Sequence, residues 1–84
     1  MPYIEQGRRN ALLEPDPLAD FPDTPGELNF LISHLCAQYV KNNGLRYQQI
    51  NDVLGALEGA KQEFYRRVAV PYEDKKIQEN GDVY

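Results

Sequence analysis

Two apolar stripes at helical spacing, separated once by Asn43-Gly44, constrain this chain more than any other feature. The first stripe is Leu28, Leu31, Ile32, Leu35, Cys36 and Tyr39. The second is Ile50, Val53, Leu54, Leu57, Ala60, Phe64 and Val68. Apolar residues three and four apart share one face of a helix, so each stripe predicts an amphipathic helix. The first helix has a clear start. Thr24 suits the N-cap, Pro25 the first helical position, and Glu27 completes a Thr-x-x-Glu capping box. Gly44 can take a positive φ and stop it. The prediction is a helix over 25–43 and a longer one over 47–69. So short a connection folds the two back as an antiparallel hairpin.

The flanks read differently. Pro15, Pro17, Pro22 and Pro25 fall within one short stretch, which is hostile to regular structure. Residues 1–24 therefore read as an extended arm, acidic at Glu14, Asp16, Asp20 and Asp23, with Leu18 and Phe21 as pegs. Upstream, Glu5 to Leu13 can form a short helix. Pro71 is expected to break or kink the chain after the long helix. A short C-terminal helix over 72–80 then follows, with Glu73 and Asp74 early and Gly81 as its stop. No strand pattern or internal repeat is present. The expected fold is all-α, one domain over 1–84.

A chain of 84 residues buries only about 60–70% of its unfolded surface, so its stability margin is thin. Small domains gain stability from staples or from association. One cysteine and one histidine exclude an intrachain disulfide and the common structural zinc patterns, and no metal or cofactor is expected. Self-association is the remaining route, so a homo-oligomer is expected. With 13 Asp+Glu against 9 Lys+Arg the net charge is −4, which argues against a duplex nucleic acid as partner. No apolar run approaches the roughly 20 residues that span a bilayer. Met1 to Arg9 lacks the apolar core of a signal peptide, so the expected compartment is the cytoplasm.

Catalytic chemistry finds little support. His34 and Cys36 are two positions apart on one helix and do not face each other, so they do not form a nucleophile and base. Cys36 belongs with the apolar stripe and His34 with the polar face. Glu58 with Lys61, and Glu63 with Arg66 or Arg67, sit at the spacing of helix-surface pairs. No phosphate-loop glycine pattern occurs. No catalytic residue is assigned, and the chain does not read as an enzyme.

Binding features are more numerous. Gly55 and Gly59 each cost about 1 kcal/mol inside a helix relative to alanine, and they lie away from the apolar stripe. Either the arm or C-terminal segment packs closely there, or a second subunit does. Phe30 lies opposite its own stripe, covered by Leu18, by Phe21 or by a second chain. Tyr84 ends the sequence as an aromatic anchor or a frayed end. The densest polar–aromatic cluster combines Tyr65, Arg66, Arg67, Tyr72, Lys75 and Lys76. Arginine offers bidentate donors to phosphate and tyrosine a flat stacking face. If Pro71 folds the last segment back, these groups surround a small anion. Otherwise they pair with Glu63, Glu73, Asp74 and Glu79.

Several stretches carry a resemblance: Met1-Pro2-Tyr3-Ile4, Gly26-Glu27-Leu28-Asn29-Phe30, Gly55-Ala56-Leu57-Glu58, and most of all the C-terminal run. That run is Phe64-Tyr65-Arg66-Arg67 through Pro71-Tyr72-Glu73-Asp74-Lys75-Lys76 to Asn80-Gly81-Asp82-Val83-Tyr84. Together they resemble a family of small prokaryotic and bacteriophage proteins classed as a domain of unknown function. The resemblance implies a phage or prokaryotic setting; it brings no assigned activity and assigns no catalytic residues. The expectation is a non-enzymatic helical interaction protein acting as a homo-oligomer. It would hold a small anionic, nucleotide-like ligand or a host protein. The alternative is an assembly subunit of a virion or larger complex.

Overall fold

The structure, a computed structural model, describes residues 4–13 and 21–84. Its elements are α1 (Gln6–Leu13), α2 (Pro25–Asn43), α3 (Tyr47–Phe64), a π-turn (Tyr65–Ala69) and α4 (Val70–Asn80). No strand occurs among the described residues, and the fold is all-α. Leu18 and most of the proline-rich arm lie outside the described residues.

Local chemistry explains where α2 starts and stops. Thr24 is extended (φ −129°, ψ 157°), and its hydroxyl oxygen accepts the Glu27 N–H at 3.1 Å. The other half of the expected capping box closes one residue earlier. The Glu27 carboxylate accepts the Asp23 N–H at 3.0 Å, so its side chain passes the N-cap and satisfies the donor before it. At the far end Gly44 takes φ 99° and ψ 147°, a corner that glycine alone visits readily. Its N–H bonds the Val40 carbonyl at 2.8 Å and closes the last turn. Three residues later α3 begins, and the two helices pack as a hairpin.

The C-terminal half departs from expectation. Pro71 does not end the long helix. A proline ring clashes with the carbonyl four residues back and donates no hydrogen bond. Here the helix widens just upstream: the Val70 N–H bonds the Tyr65 carbonyl, five residues back. The wide turn absorbs Pro71 at the start of α4, and the helical path continues from Tyr47 to Asn80. The last segment therefore starts at Val70 rather than Tyr72. It does not fold back, and its packing contacts are with the π-turn from which it grows. Gly81 ends it, with φ 86° and its N–H on the Ile77 carbonyl at 2.8 Å.

The expected burial of the two stripes is only partly realised. No described residue is fully buried. Leu31, Cys36, Val40 and Val53 are half-buried. Leu35 and Phe64 remain 65% and 66% exposed. The reason is geometric: a helix buries its stripe only against a neighbour, and α2 and α3 each have one. The radius of gyration is 16.6 Å, against about 12 Å for a compact chain of this length. The accessible surface is 7788 Å², against about 5,100 Å² for a compact monomer of this mass.

Candidate functional site

Two regions concentrate chemistry. The first is the hairpin seam. Cys36 and Val53 face each other there, and an apolar groove opens on either side of them. One groove, of about 300 Å³, is lined by Leu35, Tyr39, Ala56 and Leu57 as well as the seam residues, with Asp52 at its rim. The other is lined by Ala37, Val40, Ile50 and Leu54, with Lys41 at its rim. Across the first groove the Tyr39 hydroxyl donates to the Asp52 carboxylate at 3.1 Å. Gln48 supports the same carboxylate from one turn earlier at 2.7 Å. The bond to Asp52, then burial, then the carboxylate's charge push the Tyr39 phenol above its ordinary pKa. Cys36 is a free, half-buried thiol at this seam.

The second region is the π-turn and α4. Glu63, at the end of α3, accepts from Arg66 at 2.9 and 3.1 Å and from Arg67 at 2.7 Å. The bonds from Arg66 and then Arg67 hold its carboxyl below the ordinary carboxylate range. One carboxylate thus serves two guanidiniums, leaving a net positive charge on this turn. Tyr65 and Tyr72 are both more than half exposed. The Lys76 ammonium lies 5.5 Å from the Tyr72 ring centre and 3.5 Å from Glu79. Lys75 makes no ion pair among the described residues.

The structure does not gather this cluster around one point within a single chain. Arg67 and Lys75 sit on one continuous helical path, about 12 Å apart along its axis at 1.5 Å per residue. The fold-back that was to join them is absent: the helical path runs on through the π-turn, and α4 contacts no other described element. Of the paired charges anticipated from spacing, Glu63 with both arginines is formed. Glu58 instead accepts from the Gln62 amide at 3.1 Å.

The remaining candidates are scattered. Phe30 stacks on His34 with ring centres 6.3 Å apart, and it shares a cleft with Phe21 and Pro22 from the arm. A Cβ on Gly55 or Gly59 would meet nothing within 4 Å, so neither glycine accommodates a close neighbour among the described residues. Tyr84 is fully exposed, and its N–H bonds the Asp82 carboxylate at 2.9 Å. Among the described residues no group of His, Cys, Asp and Glu side chains could hold a metal ion. No helix there is long and apolar enough to cross a membrane. Sequence patterning missed Asp52 as the tie between the helices and Ala56 as a groove residue. A single Asp and a single Ala carry no periodic signal.

A family described as a domain of unknown function, DUF6899, matches residues 1–83. The chain belongs to the DUF6899 family. The DUF6899 match spans the hairpin, the π-turn and α4, so both candidate regions fall inside the family domain. No curated protein and no solved structure matched the chain.

Proposed function

We propose that this DUF6899 chain is a non-enzymatic helical binding protein that works as a homo-oligomer and holds a small anionic, nucleotide-like ligand. One observation carries the oligomer: no described residue is buried, while both helices of the hairpin expose large apolar side chains. A chain in that state gains its missing burial by association. The ligand reading rests on Tyr65, Arg66, Arg67, Tyr72, Lys75 and Lys76, exposed along the π-turn and α4. Arg66 and Arg67 share one carboxylate and Lys75 has no ion-pair partner among the described residues, so these three cations keep donors for an anion although Glu63, Glu73, Asp74 and Glu79 balance the segment's charge as a whole. The arginine pair and the lysine pair are too far apart along one helix to grip a single small anion. A second chain is what would bring them together.

Native mass spectrometry of protein purified gently from its own host extract tests this. The expected result is a multimer with reproducible extra mass of nucleotide size, lost in Arg66→Ala/Arg67→Ala at unchanged helicity. Retained ligand in that variant overturns the site.

A second reading is favoured by the open apolar faces alone: an assembly subunit of a larger complex or virion, which gives a multimer or partner complex with no bound small molecule. A phage-encoded member would act in the host cytoplasm, where a host protein is a further partner class.

A further inference from the structure

We infer, building on the homo-oligomer reading, that the hairpin face carrying the Leu35–Ala56 groove is the docking surface for a second copy of this chain. The face contains its own complement. On α2, Leu28, Ile32, Leu35 and Tyr39 recur at intervals of four, three and four and form a ridge beside the seam, each at least 40% exposed. On α3 the same side presents Ala56, whose short side chain leaves the groove open next to Leu35 and Tyr39. A ridge beside a groove is self-complementary under a twofold rotation. The ridge of each copy enters the groove of the other, and two hairpins become a four-helix bundle.

The exposed area leaves room for a partner as large as a second copy. The chain exposes 7788 Å², about 2,700 Å² more than a compact monomer of its mass. A standard interface buries about 800 Å² per partner, so this surplus, spread over the whole chain, is more than one such interface needs. No described element of the same chain covers the face. The contacts of α4 are with the π-turn, and α1 packs on no other helix. The opposite groove is the weaker candidate. Its α2 edge is Ala37, the half-buried Val40 and Lys41, so α2 offers it no ridge of large exposed apolar side chains. The Tyr39–Asp52 pair stands at the rim of the proposed face, where polar groups remain solvated in an interface.

The test uses the full chain with cysteines placed on ridge and groove. Leu35→Cys and Ala56→Cys are made in separate chains, each with Cys36→Ser. The two are mixed, unfolded, refolded together and oxidised. The expected product is an interchain disulfide between positions 35 and 56, found by peptide mass mapping. Absence of that link, with wild-type protein still multimeric in native mass spectrometry, overturns this docking face and leaves the homo-oligomer reading standing. Monomeric wild-type protein overturns both. A second pair of variants does not depend on oxidation. Ala56→Trp fills the groove where the single chain has open space and is expected to weaken association at least tenfold, whereas Ala37→Trp on the opposite side leaves it unchanged. The reverse pattern overturns the assignment.

Discussion

The Tyr39 hydroxyl donates to the Asp52 carboxylate at 3.1 Å, tying α2 to α3 across the groove. The other side-chain hydrogen bonds described above join residues no more than four apart, so they strengthen single helices rather than the hairpin. Tyr39→Phe keeps the ring in the groove and removes the tie. The phenol pKa is raised in the fold, so its contribution is complete below the ordinary tyrosine value, near 10, and is lost as pH rises through the raised value. Urea unfolding followed by circular dichroism should show wild-type protein more stable than Tyr39→Phe at pH 8. The difference should shrink as pH rises past 10 and through the raised value. A gap that stays constant through the phenol's own titration contradicts this role.

Glu63 gives the opposite pH dependence. Its carboxyl is held below the ordinary range by Arg66 and Arg67, so its contribution is complete above about pH 4.3 and is lost as pH falls through the depressed value. Acid titration of helicity should be steeper for wild type than for Glu63→Gln below pH 4, and the two should run parallel above pH 5.

Gly44 holds φ 99° where α2 turns into the hairpin. Gly44→Ala forces a side chain into an extended positive-φ region that costs about 1–3 kcal/mol. The expected result is a loss of that size in denaturant unfolding, with helicity at low denaturant nearly unchanged. An equal or higher midpoint would show that the turn relaxes to another conformation.

Pro71 accounts for the π-turn. With Pro71→Ala the clash and the missing donor are both gone, and the segment can close as ordinary α-helix. Amide exchange and NMR contacts should then replace the Val70-to-Tyr65 bond with four-residue spacing. Removing the extra residue from the turn would rotate α4 by about 100° relative to the hairpin. Persistence of the wide turn would mean that tertiary packing, not proline, sets it.

Much of the fold was legible because it is written in local chemistry. Thr24, Pro25 and Gly44 delimit α2 through groups that act within one turn, and a 3.6-residue period leaves little choice of element. Burial was less legible. The stripes containing Leu35 and Leu57 announce that each face wants a neighbour, and nothing in their spacing states whether that neighbour belongs to the same chain. The same limit applies to the cation–aromatic cluster. Arg66, Arg67 and Lys75 are close in sequence, yet whether Pro71 breaks a helix or is absorbed by a wide turn decides whether they meet. That choice depends on backbone adjustment at Tyr65 and Val70, which residue types alone do not encode.

The central claim is that this chain completes its core only with further copies of itself. Native mass spectrometry across a dilution series, with helicity measured in parallel, tests it most directly. A multimer at micromolar concentration that loses helicity as it dissociates is the predicted result. A monomer with full helicity and a cooperative, concentration-independent unfolding transition would contradict it.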